Sequence, residues 1–166
     1  YKSDQVQDLS ELYHGRRTIE DADDEIIDAL YALPYGFNAS DLKVETPLLG
    51  NEYLILRNER KSALGIYDAA SESIKRIDKI TAYGITPRNA EQTFALDALL
   101  NTDVRLVTIS GKAGTGKTLL ALAAALQKRK SYRQIFMARP VVPLSNRDIG
   151  FLPGDINSKL DPYMQP

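Results

Sequence analysis

Eight consecutive residues carry the clearest chemistry in this chain: Gly111, Lys112, Ala113, Gly114, Thr115, Gly116, Lys117 and Thr118. They fit G-x-x-x-x-G-K-[ST] at every fixed position, the pattern of a loop that cradles phosphates. Glycines at 111, 114 and 116 allow the backbone to wrap closely and aim successive N–H groups at phosphate oxygens. A helix opening at Lys117 adds the positive end of its dipole. In this reading Lys117 reaches the β- and γ-phosphates of ATP as a point charge, and Thr118 offers its hydroxyl to Mg²⁺. These two are the candidate catalytic residues, Thr118 the candidate metal ligand, and the whole run the candidate nucleotide-binding site.

Hydrolysis requires more than a phosphate loop. An acid at the end of a neighbouring strand must hold Mg²⁺ through water and polarise the attacking water. After Thr118 the acids are Asp148, Asp155 and Asp161, and none closes an apolar strand run. The sequence therefore reads as a fragment, competent for ATP turnover in its full-length form and not alone.

The charge distribution points the same way. Residues 104–147 hold nine Lys and Arg and no acid, while the remainder holds 12 basic residues against 22 acids. The two parts are thus +9 and −10 within a chain of net charge −1. An acid-free stretch of this length suggests an anion held nearby, either phosphate or nucleic-acid backbone. Lys128, Arg129 and Lys130 are its densest cluster.

Composition narrows the alternatives. With 43% hydrophobic and 26% charged residues the chain is an ordinary globular one. No apolar run is long enough for a membrane span. The absence of Cys excludes disulfides, thiolate zinc sites and cysteine nucleophiles, and a single His argues against a histidine metal site. The opening residues contain no apolar secretory segment, so the expected location is cytoplasmic.

Three parts position the loop. Residues 1–36 read as a helical linker that follows a missing N-terminal domain. One stripe is Val6, Leu9, Leu12 and Tyr13, and a second is Ile19, Ala22, Ile26, Ile27, Leu30 and Leu33. Thr18 reads as the N-cap, the acids at 20–25 suit a helix start, and Pro34 and Gly36 end the run. Residues 37–82 read as a small β unit with strands at 53–56, 63–67 and 73–77 and a polar turn at 58–61. Tyr53, Tyr67 and Arg57 could stack oligonucleotide bases there, although aromatic residues in strands more often serve as core. Residues 83–166 read as the N-terminal part of a P-loop ATPase domain. A helix opens at Thr86-Pro87 with Phe94, Ala95, Ala98 and Leu99 inward, a strand follows at 106–109, then the loop, a helix at 118–130 and a strand at 134–138. Strand, glycine loop, helix and strand make a βαβ unit, so the expected class is α/β with a parallel P-loop NTPase sheet.

Residues 84–166 further resemble the start of the ATPase domain of PhoH-like proteins, in the branch that carries an N-terminal PIN ribonuclease domain. Three stretches carry the resemblance: Ile85-Thr86-Pro87-Arg88-Asn89-Ala90-Glu91-Gln92; the phosphate loop with Leu119-Leu120-Ala121-Leu122-Ala123-Ala124; and Arg139-Pro140-Val141-Val142-Pro143, followed by Ile149-Gly150-Phe151-Leu152-Pro153-Gly154-Asp155 and Lys159-Leu160-Asp161-Pro162-Tyr163. The family is similar to superfamily 1 helicase cores and acts with RNA. The resemblance implies that Gln92 contacts adenine and that Arg139 begins a loop contacting RNA, with Lys128, Arg129 and Lys130 as further nucleic-acid candidates. It also implies a homo-oligomeric ring. The alternative function is a non-catalytic phosphate- or RNA-binding assembly module.

Overall fold

A computed structural model describes residues 13–33 and 35–138. Two compact units make up the chain, one formed by residues up to 81 together with 86–98, the other by residues 82–85 and those from 99 onward.

The first unit is built on a five-stranded mixed sheet. Its strands are β1 (Arg16–Ile19), β2 (Phe37–Asn38), β3 (Tyr53–Arg57), β4 (Ser62–Asp68) and β5 (Ser73–Arg76), in spatial order β1-β3-β4-β5-β2. β3 and β4 form an antiparallel hairpin whose register pairs Ile55 with Leu64. Asn58 shapes the hairpin turn, because its Oδ1 accepts from the Arg60 and Lys61 N–H groups at 2.9 and 2.8 Å. The strands and the polar turn expected between residues 53 and 77 are therefore formed, the last one ending at Arg76.

The helix expected to open at a Thr18 N-cap within the helical linker 1–36 does not begin there. Arg16–Ile19 pairs in parallel with β3, placing Thr18 opposite Ile55 in a strand, so Thr18 caps no helix. A partner 37 residues further along the chain overrides the local helical reading. The helix α1 (Asp24–Ala32) begins later, after Asp23, with Asp24 and Glu25 in its first turn. The stripe that includes Val6, Leu9 and Leu12 lies outside the described residues.

Burial explains what holds this unit. Ile27 and Leu30 of α1 sit three residues apart on one helical face, against Leu54, Leu56 and Ile74, and all five are fully buried. Each such side chain contributes about 1.5–3 kcal/mol when removed from water. After α1 the chain turns at Gly36, whose φ of +78° and close approach leave a Cβ only 1.8 Å from the Ile74 carbonyl oxygen. Only glycine fits there.

The helix α2 (Ala90–Leu100) belongs to the same unit as far as Ala98. It starts at Ala90 rather than at Thr86-Pro87. The Asn89 side chain accepts from the Gln92 N–H at 2.9 Å, supplying the cap three residues later than Thr86 would. Its buried residues are Thr93, Phe94 and Leu96, whereas Ala95, Ala98 and Leu99 are only partly covered.

The second unit contains the tight turn 82–85 and the helix α3 (Lys117–Gln127). Tyr83 and Gly84 both take positive φ, and Ala82 bridges Ile85, as in a two-residue hairpin turn. Expected strands at 106–109 and 134–138 form no ladder among the described residues. Leu106 is 81% and Phe136 87% exposed. An apolar run records a tendency to be covered; a strand additionally requires a neighbour whose N–H and C=O groups are in register.

Candidate functional site

The phosphate-loop candidates Gly111 to Thr118 form one continuous curl leading into α3. Gly111, Gly114 and Gly116 take φ of +153°, +76° and +82°, conformations that side-chain-bearing residues rarely adopt. Thr115 Oγ1 donates to the Lys112 carbonyl at 2.9 Å and closes the turn. Lys117 folds back over it: Nζ donates to the Gly111 and Lys112 carbonyls at 2.9 and 2.7 Å, and lies 3.4 Å from Thr115 Oγ1. Its ammonium group is thereby centred on the loop that its own backbone starts to leave.

The beginning of α3 differs from that of the other helices. α1 has Asp24 and Glu25 in its first turn, and α2 is capped by the Asn89 side chain. α3 has glycine at its N-cap, no side-chain cap and no acid in its first turn. Among the described residues no acid of its own first turn and no capping side chain compensates its leading N–H groups and positive dipole end, the arrangement that suits an incoming phosphate. Thr118 is exposed in this first turn and brings a hard hydroxyl oxygen, the donor type that Mg²⁺ accepts. Among the described residues, Thr118 thus supplies a donor of the type that a Mg²⁺–nucleotide would use. Among the described residues no group of three or more His, Asp or Glu is placed to hold a metal ion by itself.

α3 rests on Leu120, Ala123 and Ala124, which are buried, and ends at Gln127 rather than at residue 130. Lys128 is its C-cap residue and Lys130 is exposed in the following turn. Arg129 is engaged: its guanidinium lies 5.2 Å above the Tyr83 ring and donates to the Leu126 carbonyl at 2.9 Å. The Tyr83 N–H donates to Gln127 Oε1 at 2.9 Å, so the turn 82–85 is tied to the end of α3. Sequence reading had no signal for this tie, because Tyr83 and Gln127 lie 44 residues apart. Arg139 lies outside the described residues, as do Asp148, Asp155 and Asp161.

Gln92 sits in the first turn of α2. Its Oε1 accepts from the Arg88 N–H at 2.8 Å, so it takes part in capping the helix. The proposed oligonucleotide-stacking group is not assembled. Tyr53 is buried and stacked on Phe94 with ring centroids 4.7 Å apart, Tyr67 packs against the core, and Arg57 is paired with Glu20.

Comparison with known proteins points to one family. A family model described as "PhoH-like protein" matches residues 84–166. "Protein PhoH2" of Bacillus subtilis is 40% identical over 177 aligned residues, covering 100% of this chain and 38% of that protein. "Protein PhoH2" of Thermobispora bispora is 39% identical over 68% of this chain and 26% of that protein. A "PhoH-like protein" of Mycobacterium bovis is 32% identical over 68% of this chain and 32% of its own length. The chain thus spans between about a quarter and two fifths of these relatives. No solved structure matches. With the family match, the expected α/β class and partial P-loop NTPase domain hold for the second half of the chain.

Proposed function

The chain belongs to the PhoH-like family, and from that premise we propose that the loop 111–118 binds the phosphates of ATP, which the full-length protein hydrolyses. Membership supports a P-loop ATPase-type function and nucleotide binding. The observation that carries the finer reading is the loop: three positive-φ glycines, an acid-free and uncapped helix start, and the Lys117 ammonium held over the curl.

In this mechanism Lys117 exchanges two neutral carbonyl acceptors for anionic phosphate oxygens, so that both donor and acceptor carry charge. The leading N–H groups of α3 take further phosphate oxygens, and Thr118 offers its hydroxyl oxygen to Mg²⁺. A metal held there would supply charge neutralisation of the phosphates. The strand-end acid that orients water belongs to the full-length protein. Gln92 reads adenine in this proposal, on the strength of the resemblance.

RNA is the proposed macromolecular partner, with Lys128, Lys130 and Arg139 contacting its phosphates. The nine cations without an acid in residues 104–147 support this. The proposal includes helicase-like work coupled to a PIN ribonuclease, and a ring of identical subunits. The test is ATP turnover by the full-length protein carrying Lys117→Ala or Thr118→Ala. Each is expected to reduce turnover by about 100-fold or more, the scale on which removing one transition-state donor acts. Undiminished turnover in both variants would overturn the ATPase reading. RNA binding that ignores Lys117→Ala yet falls on changing residues 128–130 or Arg139 would favour the non-catalytic module.

A further inference from the structure

Six ion pairs join the described residues, and all six lie in the first unit. The second unit is arranged differently. Asp103 is the one acid between residues 99 and 138, and among the described residues no cation of that segment is paired with an acid. Three of these cations, Lys128, Arg129 and Lys130, are consecutive at the end of α3. The carbonyl end of a helix favours positive charge, and the bond from Arg129 to the Leu126 carbonyl at 2.9 Å is an interaction of that kind. The second contact of Arg129 is not: its guanidinium carbon lies 5.2 Å from the centroid of the Tyr83 ring.

Tyr83 is the unusual member of this group. It takes a φ of +46° in the first position of the turn 82–85, next to Gly84 at +81°. Asn, Asp or Gly is the ordinary choice there, because a bulky side chain disfavours the left-handed region. The tyrosine is thus kept at a backbone cost, and burial does not offset it, since the residue is 52% exposed. It is nonetheless fixed twice over. Its N–H donates to Gln127 Oε1 at 2.9 Å, and Arg129 lies over one face of its ring. A fixed, exposed ring beside cations without acids suits an unpaired base and its flanking phosphates: the base stacks on the ring, and the phosphates meet the cations. A duplex, whose bases already stack on one another, would use the cations and leave the ring idle. An acidic protein segment would leave the strained tyrosine equally unexplained.

We propose that Tyr83 is a stacking platform for an unpaired base of single-stranded RNA, braced by Arg129, with Lys128 and Lys130 beside it on the phosphates. The proposal rests on the reading of RNA as the partner. It adds an aromatic contact that selects single strands over duplexes.

The experiment measures fluorescence anisotropy of a labelled, unstructured oligouridine of about 12 nucleotides, and of an RNA duplex of the same length, with the full-length protein. The variants are Tyr83→Asn, Tyr83→Phe and the double variant Lys128→Ala with Lys130→Ala, with thermal unfolding as the control for folding. Asn suits the left-handed position, so Tyr83→Asn should unfold no earlier than the parent. It should nevertheless bind the single strand about 5- to 100-fold more weakly, the worth of one base–aromatic stack. Tyr83→Phe keeps the ring and should stay within about twofold of the parent. Duplex binding should be indifferent to both substitutions, whereas the lysine variant should weaken binding to both probes and flatten its salt dependence. Photocrosslinking of the parent to a thiouridine-substituted probe reads the same contact without a substitution, and the adduct should map to Tyr83. If the lysine variant behaves as stated while Tyr83→Asn binds oligouridine like the parent, the ring serves packing or a protein contact, and the proposal fails with the RNA reading intact. Equal losses on both probes in Tyr83→Asn, or an adduct that spares Tyr83, would also overturn it. If the parent binds neither probe, or binds them without regard to the lysines, the RNA reading of this surface fails and the proposal falls with it.

Discussion

The β unit and the phosphate-loop unit are stabilised on different length scales. In the first, β1 pairs with β3 across 37 residues, and α1 closes over strands that are up to 50 residues away. Its central side chains, Ile27, Leu30, Leu54, Leu56 and Ile74, are fully out of water. In the second, the proposed phosphate curl comes from eight adjacent residues, and its described hydrogen bonds span no more than six. In the same unit Leu106 and Phe136 stand exposed. On the proposed function, binding chemistry and folding stability draw on separate residues, and substitutions should separate them too.

The largest stability effect is expected from the β unit. Leu54→Ala removes a fully buried side chain from the centre of the sheet and should cost about 2–5 kcal/mol in denaturant unfolding. Lys117→Ala, half-covered on the loop, should leave the same transition within about 0.5 kcal/mol. A Leu54→Ala variant as stable as the parent, or a Lys117→Ala variant that unfolds as readily as Leu54→Ala, would erase the distinction between the units.

Smaller effects lie in the pH response, where two carboxylates of the β unit pull in opposite directions. Asp68 is held at about 2 by Lys75, by the Ser71 hydroxyl and by the Ala70 N–H. Its folded state binds protons less readily than the unfolded chain, so its contribution is present above about pH 4 and is lost as pH falls towards 2. The carboxyl of Asp97, raised by burial, behaves in reverse. Folding favours its protonated form, so its contribution is greatest below its ordinary range and is lost as pH rises through the folded value. Thermal unfolding between pH 2 and 7 should show Asp68→Asn flattening the acid limb. Asp97→Asn should gain on the parent as pH rises above about 4. No difference between the three profiles would remove both assignments.

What could be read from the sequence follows the same division of length scales. The loop was legible because its fixed residues and its helix start are contiguous. The hairpin of β3 and β4 was legible for the same reason, since Asn58 and its neighbours make the turn within four residues. β1 was missed because Arg16-Arg17-Thr18-Ile19 acquires strand character only from Tyr53 to Leu56. The start of α2 was misplaced because Thr86 and Asn89 are both good caps, and the Gln92 N–H selects Asn89. Residues 106–109 and 134–138 have strand-like composition, but composition carries no information about a ladder partner. The hydrogen bond from the Tyr53 hydroxyl to Asp97 gave no sign in the sequence, being a contact across 44 residues between two ordinary side chains.

The central claim is that the curl at 111–118 is a triphosphate site. Its most direct test is calorimetric titration of the full-length protein with Mg-ATP, alongside Lys117→Ala and with AMP as the control lacking β- and γ-phosphates. The account predicts saturable ATP binding that weakens at least about tenfold in Lys117→Ala, the scale of a lost charge-assisted bond, with AMP binding far more weakly and indifferent to the substitution. Equal ATP affinity in parent and variant, or AMP binding as tightly as ATP, would contradict it.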